Sequence, residues 1–158
     1  MSDATDEALR GYPIQLDAQR LRSGRPLRIY IAGASKEMDL ISSYMRKVES
    51  LGHTISLDWT VPIRENIALG KTDADLTKED RKRHANADMF AVGDADLVWL
   101  LVPAEPKSSL GCWIEFGLAV AFGCHVIVSG PNASIFCELA DHLFATHDEA
   151  LEWLRSQK

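Results

Sequence analysis

Glu115 is a charged residue set in a long apolar stretch: Cys112, Trp113 and Ile114 precede it, and Phe116, Leu118, Ala119 and Val120 follow. A helix so apolar on most sides is expected to pack on both faces and to strip water from its one carboxylate. Burying an unpaired carboxylate is costly, so the residue demands a partner or a purpose. A structural glutamate satisfied by backbone amides or an arginine accounts for this pattern as well as catalysis does. In the catalytic case a desolvated carboxylate suits covalent capture of an electron-poor carbon, or proton transfer. Tyr30, on an apolar run, is either a core aromatic whose hydroxyl has found a partner or a phenol aimed at a site. Asp88, toward the end of a helical stretch, opposes the helix dipole, although a solvated aspartate costs little there.

These residues need elements to hold them. Arg28–Ala32 (RIYIA) reads as a buried parallel strand closed by Gly33. Ser35 is placed to cap a helix in which Met38, Ile41, Met45, Val48 and Leu51 recur at helical spacing, and Gly52 ends it. Residues 53–57 read as a second strand. Residues 58–76 show no clear periodicity and contain Trp59, Pro62 and Gly70; a loop of this length is more often functional than idle, for instance as an active-site cover. Thr77 and Asp80 form a capping-box variant that opens a helix running to about Val92. Residues 97–102 (LVWLLV) give a third strand, residues 112–122 a helix, and His125–Ser129 a fourth strand. A short strand at residues 143–144 and a helix over residues 148–156 complete the chain. Strands alternating with helices predict an α/β fold, a doubly wound parallel sheet of about five strands in a single domain. Ligands in such folds sit beyond the carboxyl ends of the strands, where strand order reverses. Residues 1–26 are polar and mixed, with a possible short helix at residues 16–22, and read as an N-terminal extension to the domain over residues 27–158.

Composition narrows the function classes. The 158 residues are 46% hydrophobic and 25% charged, ordinary for a soluble domain. A net charge of −6 argues against a general binder of nucleic-acid polymers or anionic membranes, yet leaves room for one phosphate held by backbone amides. The apolar runs are too short to span a bilayer, and with no basic start followed by an apolar run a signal peptide is not expected. Cys112, Cys124 and Cys137 are odd in number and lack C-x-x-C spacing, as expected of reduced thiols in a cytoplasmic protein. The histidines form no metal-binding motif, and neither a metal nor a cofactor is expected. Gly33-Ala34-Ser35-Lys36 is not a P-loop, and Lys36 and Arg64 read as surface charges.

Three motifs follow one another along the chain. Tyr30-x-x-Gly33 ends the first strand, Asp88 stands eight residues before the Asp96 that opens the third, and S-L-G-x-x-x-E-x-G-x-A-x-A-F spans residues 109–122. Together they resemble the nucleoside 2-deoxyribosyltransferase family, and within it most closely the 2'-deoxynucleoside 5'-monophosphate N-hydrolases, over residues 27–140. The resemblance implies that Glu115 is a nucleophile, that Asp88 protonates or holds the departing base, and that Tyr30 orients the nucleophile. Ser109, six residues before Glu115, matches a serine that binds a 5'-phosphate in the hydrolases. That position is often acidic in the transferases. Gly111 near the helix start leaves amides open to an anion. Gly33 borders the substrate, although its loop is shorter than the glycine-rich loop of the hydrolases. Ser134 roughly matches a polar residue lent to a neighbouring subunit, which implies a homo-oligomer built from symmetric dimers.

The implied chemistry is sound on first principles. A 2-deoxy sugar lacks the hydroxyl that would destabilise positive charge, so C1' readily gains oxocarbenium character. A carboxylate can capture it, and water or a second base can release it with retention. The expected function is cleavage of the N-glycosidic bond of deoxynucleoside 5'-monophosphates. Base exchange between deoxynucleosides, cleavage of a nicotinamide-ribose bond, and a non-catalytic nucleotide-binding module on the same fold stay open.

Overall fold

Short strands that are apolar along their whole length can be buried only if helices cover both faces of their sheet. The computed structural model, which describes residue 21 and residues 24–105, 109–131 and 134–157, has that arrangement. Arg28–Ala32 (β1), Thr54–Ile55 (β2), Leu97–Leu101 (β3), His125–Ser129 (β4) and His142–Phe144 (β5) pair in parallel in the order β2-β1-β3-β4-β5. All of β3 and all but the first residue of β1 and β4 are buried. Tyr30 lies opposite Val98, and Val98 opposite Val126, so one register runs through the three central strands. The expected doubly wound α/β sheet is therefore present, and its order reverses between β1 and β3.

The helices are Met38–Ser50 (α1), Thr60–Ala68 (α2), Lys78–Gly93 (α3), Leu110–Phe122 (α4) and His147–Ser156 (α5). α1 buries Ile41, Tyr44, Met45 and Val48 against the sheet and stops at Gly52, whose φ of 84° suits the left-handed turn that ends a helix. Tyr44 joins α1 to α5: its ring meets that of His147 edge-on at 5.5 Å, and its hydroxyl donates to Asp148 over 2.8 Å. α3 packs against α4. Its start is the expected capping box, Thr77 Oγ1 accepting from Asp80 N at 3.0 Å.

Several local expectations need correction. Ser35 does not cap α1; it opens a 3-10 turn, Ser35–Glu37, and Glu37 precedes the helix without a side-chain cap. The second strand is only two residues long, because the chain turns away after Ser56 N donates to Ile29 O at 2.9 Å. Residues 58–76 are not a loop throughout, since they hold α2. Asp58 starts that helix by accepting from Thr60 N at 3.0 Å and Thr60 Oγ1 at 2.6 Å. Pro62 sits in its first turn, where a missing N–H leaves nothing unpaired. With no marked apolar stripe, α2 leaves no clear helical period to read. α4 begins two residues earlier than expected and is not packed on both faces. Cys112, Phe116 and Ala119 are buried, but Leu110 (74% exposed), Ile114 (63%) and Phe122 (44%) face outward. The helix expected at residues 16–22 falls, but for Leu21, outside the described residues.

Candidate active site

The switch point brings three side chains from three elements together. Tyr30 projects from β1, Asp88 from α3 and Glu115 from the second turn of α4. Tyr30 Oη lies 3.0 Å from Glu115 Oε1 and 3.4 Å from Asp88 Oδ1. A phenol has one proton to give. Both contacts are satisfied only if Tyr30 donates to one carboxylate while the other is protonated and donates to Tyr30. The geometry therefore fits a pair of carboxyl groups that hold one proton between them, bridged by the phenol.

The electrostatics agree. Burial, with the Asp88 charge adding to it, pushes Glu115 up to about 7, against the pull of the Tyr30 bond. Burial also raises Asp88, opposed by the Tyr30 bond and by the charge of His84. Tyr30 is driven well above the usual phenol range by burial and by both carboxylates, so it stays a neutral donor. Like charges at this spacing cannot both ionise freely, and the proton belongs to the pair. Cys112, one turn before Glu115, is pushed up to about 12 by burial and then by Glu115, and remains an inert thiol. All three cysteines are buried and unbridged.

The pair opens into a cavity of about 640 Å³. Gly33, Ser109 and Gly111 line it. At Gly33 a Cβ would stand 2.5 Å from Ile41 Cδ1, so the turn after β1 has no room for a side chain unless Ile41 moves. At Gly111 an added Cβ would meet nothing, so no packing demand explains that glycine. The Ser109 side chain makes no capping bond to α4 and is open to the cavity. A smaller hollow of about 180 Å³ adjoins through Ala34 and Ser109 and is bordered by Lys36, Glu37 and Glu105. Lys36 lies 3.9 Å from Glu105, and Arg64 pairs with Asp39 at 2.7 Å, in keeping with their reading as surface charges.

Ser134 is not part of this cavity in the single chain. It caps the turn Ile135–Leu139, accepting from Phe136 N at 3.3 Å, and that turn leaves Ile135 82% exposed. Asp96, the motif partner of Asp88, lies at the opposite end of the sheet. It accepts from the backbone N of Arg28 at 2.9 Å and pairs with Arg25 at 2.7 Å, so it fixes the start of β1.

Further wall residues lie on α2 and α3. Trp59, Pro62, Ile63 and Asn66 come from α2 and the residue before it, and Trp59 is anchored by its indole N–H donating to Ile31 O at 2.8 Å. The stretch over residues 58–76 thus contributes to the cavity wall, through a helix rather than the expected loop. Arg81 and His84 come from α3. Their signal was present: positions 81, 84 and 88 recur at helical spacing and share one face. Among the described residues no cluster of three His, Cys, Asp or Glu side chains could hold a metal. No helix among them is long and apolar enough to cross a membrane.

No protein-family model matches the chain, and no curated protein does. Solved structures are similar to it. One is the 2-deoxyribosyltransferase of the psychrotolerant bacterium Bacillus psychrosaccharolyticus, with a TM-score of 0.61 and 18% identity over 78% of this chain and 90% of that one. Another is the Clostridium botulinum CMP N-glycosidase BcmB, with a TM-score of 0.52 and 18% identity over 80% of this chain and 97% of that one. The chain thus shares its five-stranded α/β fold with a 2-deoxyribosyltransferase and a CMP N-glycosidase.

Proposed function

We propose that this protein is a retaining enzyme of N-glycosidic bonds, acting on 2'-deoxyribonucleosides or their 5'-monophosphates, with Glu115 as nucleophile. The observation that carries the reading is the Tyr30 hydroxyl bridging Glu115 and Asp88, both of which line the cavity. A binding module has no need of two desolvated carboxylates that must share a proton, whereas bond cleavage needs one ionised and one protonated.

In the first step the C1'–N bond breaks and its electron pair stays on the base. The base takes the proton of the Asp88 carboxyl, and a Glu115 oxygen bonds to C1'. The reactive arrangement is the one in which the shared proton sits on Asp88, so that Tyr30 donates to Glu115 and holds that carboxylate in place and ionised. In the second step water attacks C1', its proton passes to Asp88, and the C1'–O bond pair returns to Glu115. A second base in place of water gives exchange instead of hydrolysis. Both outcomes retain the anomeric configuration.

Cleavage of 5'-monophosphates is the finer reading. Its support is the open Ser109 hydroxyl at the start of α4, beside amides that favour an anion. A second reading, base exchange on unphosphorylated deoxynucleosides, draws on Glu37 and Glu105, which outnumber Lys36 around the adjoining hollow and leave it a net negative charge that would oppose a phosphate. Self-association belongs to the same proposal: the outward apolar face of α4 and the exposed turn after Ser134 suit a homo-oligomer. The test is incubation with deoxynucleosides, their monophosphates, ribonucleosides and NAD, followed by chromatography for free base. Deoxynucleosides or their monophosphates should release base, and Glu115→Gln should not. Release from NAD or ribonucleosides alone, or from nothing, would defeat the reading.

A further inference from the structure

Arg81 is the one lysine or arginine among the described residues that line the main cavity. One guanidinium N–H is fixed on the carbonyl of Leu76, another wall residue, at 2.5 Å. No carboxylate neutralises it among the described residues. The nearest in sequence, Asp80, is occupied by Thr77 and by Arg83 at 2.7 Å. Arginine carries N–H donors and no acceptor, so the rest of the fork can only donate. Arg81 also stands seven residues before Asp88 on α3, roughly 10 Å along the helix axis, with His84 between them on the same face. A base whose sugar-linked nitrogen lies at Asp88 would extend outward along this face, past His84 and toward Arg81. Across the cavity stand Trp59, Ile63 and Asn66. The aromatic and aliphatic groups suit the flat faces of a base, but His84 and Asn66 can each donate or accept. Only Arg81 imposes a sense.

Resting on the glycosidic reading above, we propose that Arg81 selects the base of the substrate. It favours bases with a carbonyl oxygen on the edge remote from the sugar, the 6-oxopurines and 4-oxopyrimidines, over their amino counterparts. An exocyclic amino group facing the guanidinium would set donor against donor, and a site built to pair one polar group discriminates strongly against its mismatch.

The experiment compares deoxyinosine with deoxyadenosine and deoxyuridine with deoxycytidine, each also as the 5'-monophosphate. The wild type should favour the oxo member of each pair about ten- to a hundredfold in kcat/KM. Arg81→Gln, which can donate or accept, should erase most of that preference mainly by slowing the oxo substrates; Arg81→Lys should retain part of it. A wild type without the preference, or an Arg81→Gln that slows both members alike, overturns the proposal. So does a loss confined to the phosphorylated substrates, which would make Arg81 a phosphate ligand. If the wild type frees no base from any substrate, the glycosidic reading fails while base selection is still decided by calorimetry. Tighter binding of free hypoxanthine than of adenine, lost in Arg81→Gln, supports it, and equal or undetectable binding overturns it.

Discussion

Tyr30 on β1 and Glu115 on α4, 85 residues apart in sequence, meet through a 3.0 Å hydrogen bond at the point where strand order reverses. That bond does two things. It fixes the rotamer of the carboxylate, and it favours the ionised form of a group whose burial favours the neutral one.

Glu115→Gln is expected to fold and to lose turnover by several orders of magnitude. A substrate fluorinated at C2' should trap a covalent adduct on Glu115 in the wild type, identifiable by mass spectrometry, since fluorine slows release more than capture. The pH dependence of stability provides a second check. A carboxyl raised from its ordinary value to about 7 favours folding fully only below the ordinary range, and that contribution is lost as pH rises through 7. Glu115→Gln should therefore gain stability over the wild type at pH 8, by up to about 3 kcal/mol, and show little gain near pH 4. An equal melting temperature difference at both ends would contradict a buried, titrating Glu115.

Tyr30→Phe tests the bridge. Removing the hydroxyl withdraws the one contact that lowers Glu115, so its pKa should rise further. If catalysis needs ionised Glu115, the acid limb of the kcat/KM profile should move to higher pH, and the rate at neutral pH should fall about ten- to a hundredfold. Part of the activity should return in alkaline buffer. A profile that keeps its shape while dropping uniformly would assign Tyr30 to packing alone.

How much of this was legible beforehand follows from where each signal lies. Continuous apolar strands such as Leu97–Leu101 are bound to be buried between helices, so the sheet could be read from the sequence. Glu115 and Tyr30 stand out because a polar group in apolar surroundings needs a reason, whereas Asp88, on a polar helix, is singled out by the family resemblance and by its place against the helix dipole. α2 was not, because it has no apolar stripe and Pro62 reads as a breaker unless it is known to sit in a first turn. Arg81 and His84 were overlooked for a different reason. Charged residues on a half-exposed helix look like solvated surface until the partner wall, Trp59 and Ile63, is in place. The outward side of α4 differs in the opposite sense, since its apolar residues read as doubly packed while Leu110 and Ile114 face outward.

That outward side gives a prediction about assembly. Ile114 and Phe122 on α4 and Phe90 on α3 are 63%, 44% and 70% exposed, and Phe122 lies against Gly93, one turn from Phe90. Clustered exposed apolar groups mark an interaction surface. Light scattering at micromolar concentration should find a homo-oligomer, and Phe90→Glu with Ile114→Glu should shift it toward monomer while circular dichroism stays unchanged. An active monomeric wild type would reject a site shared through the Ser134 turn.

Ser109→Ala separates hydrolysis of monophosphates from base exchange on nucleosides. The Ser109 side chain makes no bond to α4, so replacing it removes no cap and should leave the melting temperature nearly unchanged. If its hydroxyl donates to a 5'-phosphate, the loss is that of one hydrogen bond to a charged group, about 1.5–3 kcal/mol, or roughly ten- to a hundredfold in kcat/KM. The loss should fall on KM, because the phosphate is bound alike in ground and transition states. Unphosphorylated deoxynucleosides serve as the internal control and should be cleaved by the variant at the wild-type rate. Base exchange makes the contrary forecast. The carboxylates of Glu37 and Glu105 beside Ser109 would then make a phosphate a burden. The wild type would prefer the nucleoside, and an added free base would appear as a new deoxynucleoside by chromatography. Faster cleavage of monophosphates by the wild type, lost in Ser109→Ala, decides for hydrolysis. No advantage for the monophosphate, a silent Ser109→Ala and a new deoxynucleoside formed from the added base decide for exchange.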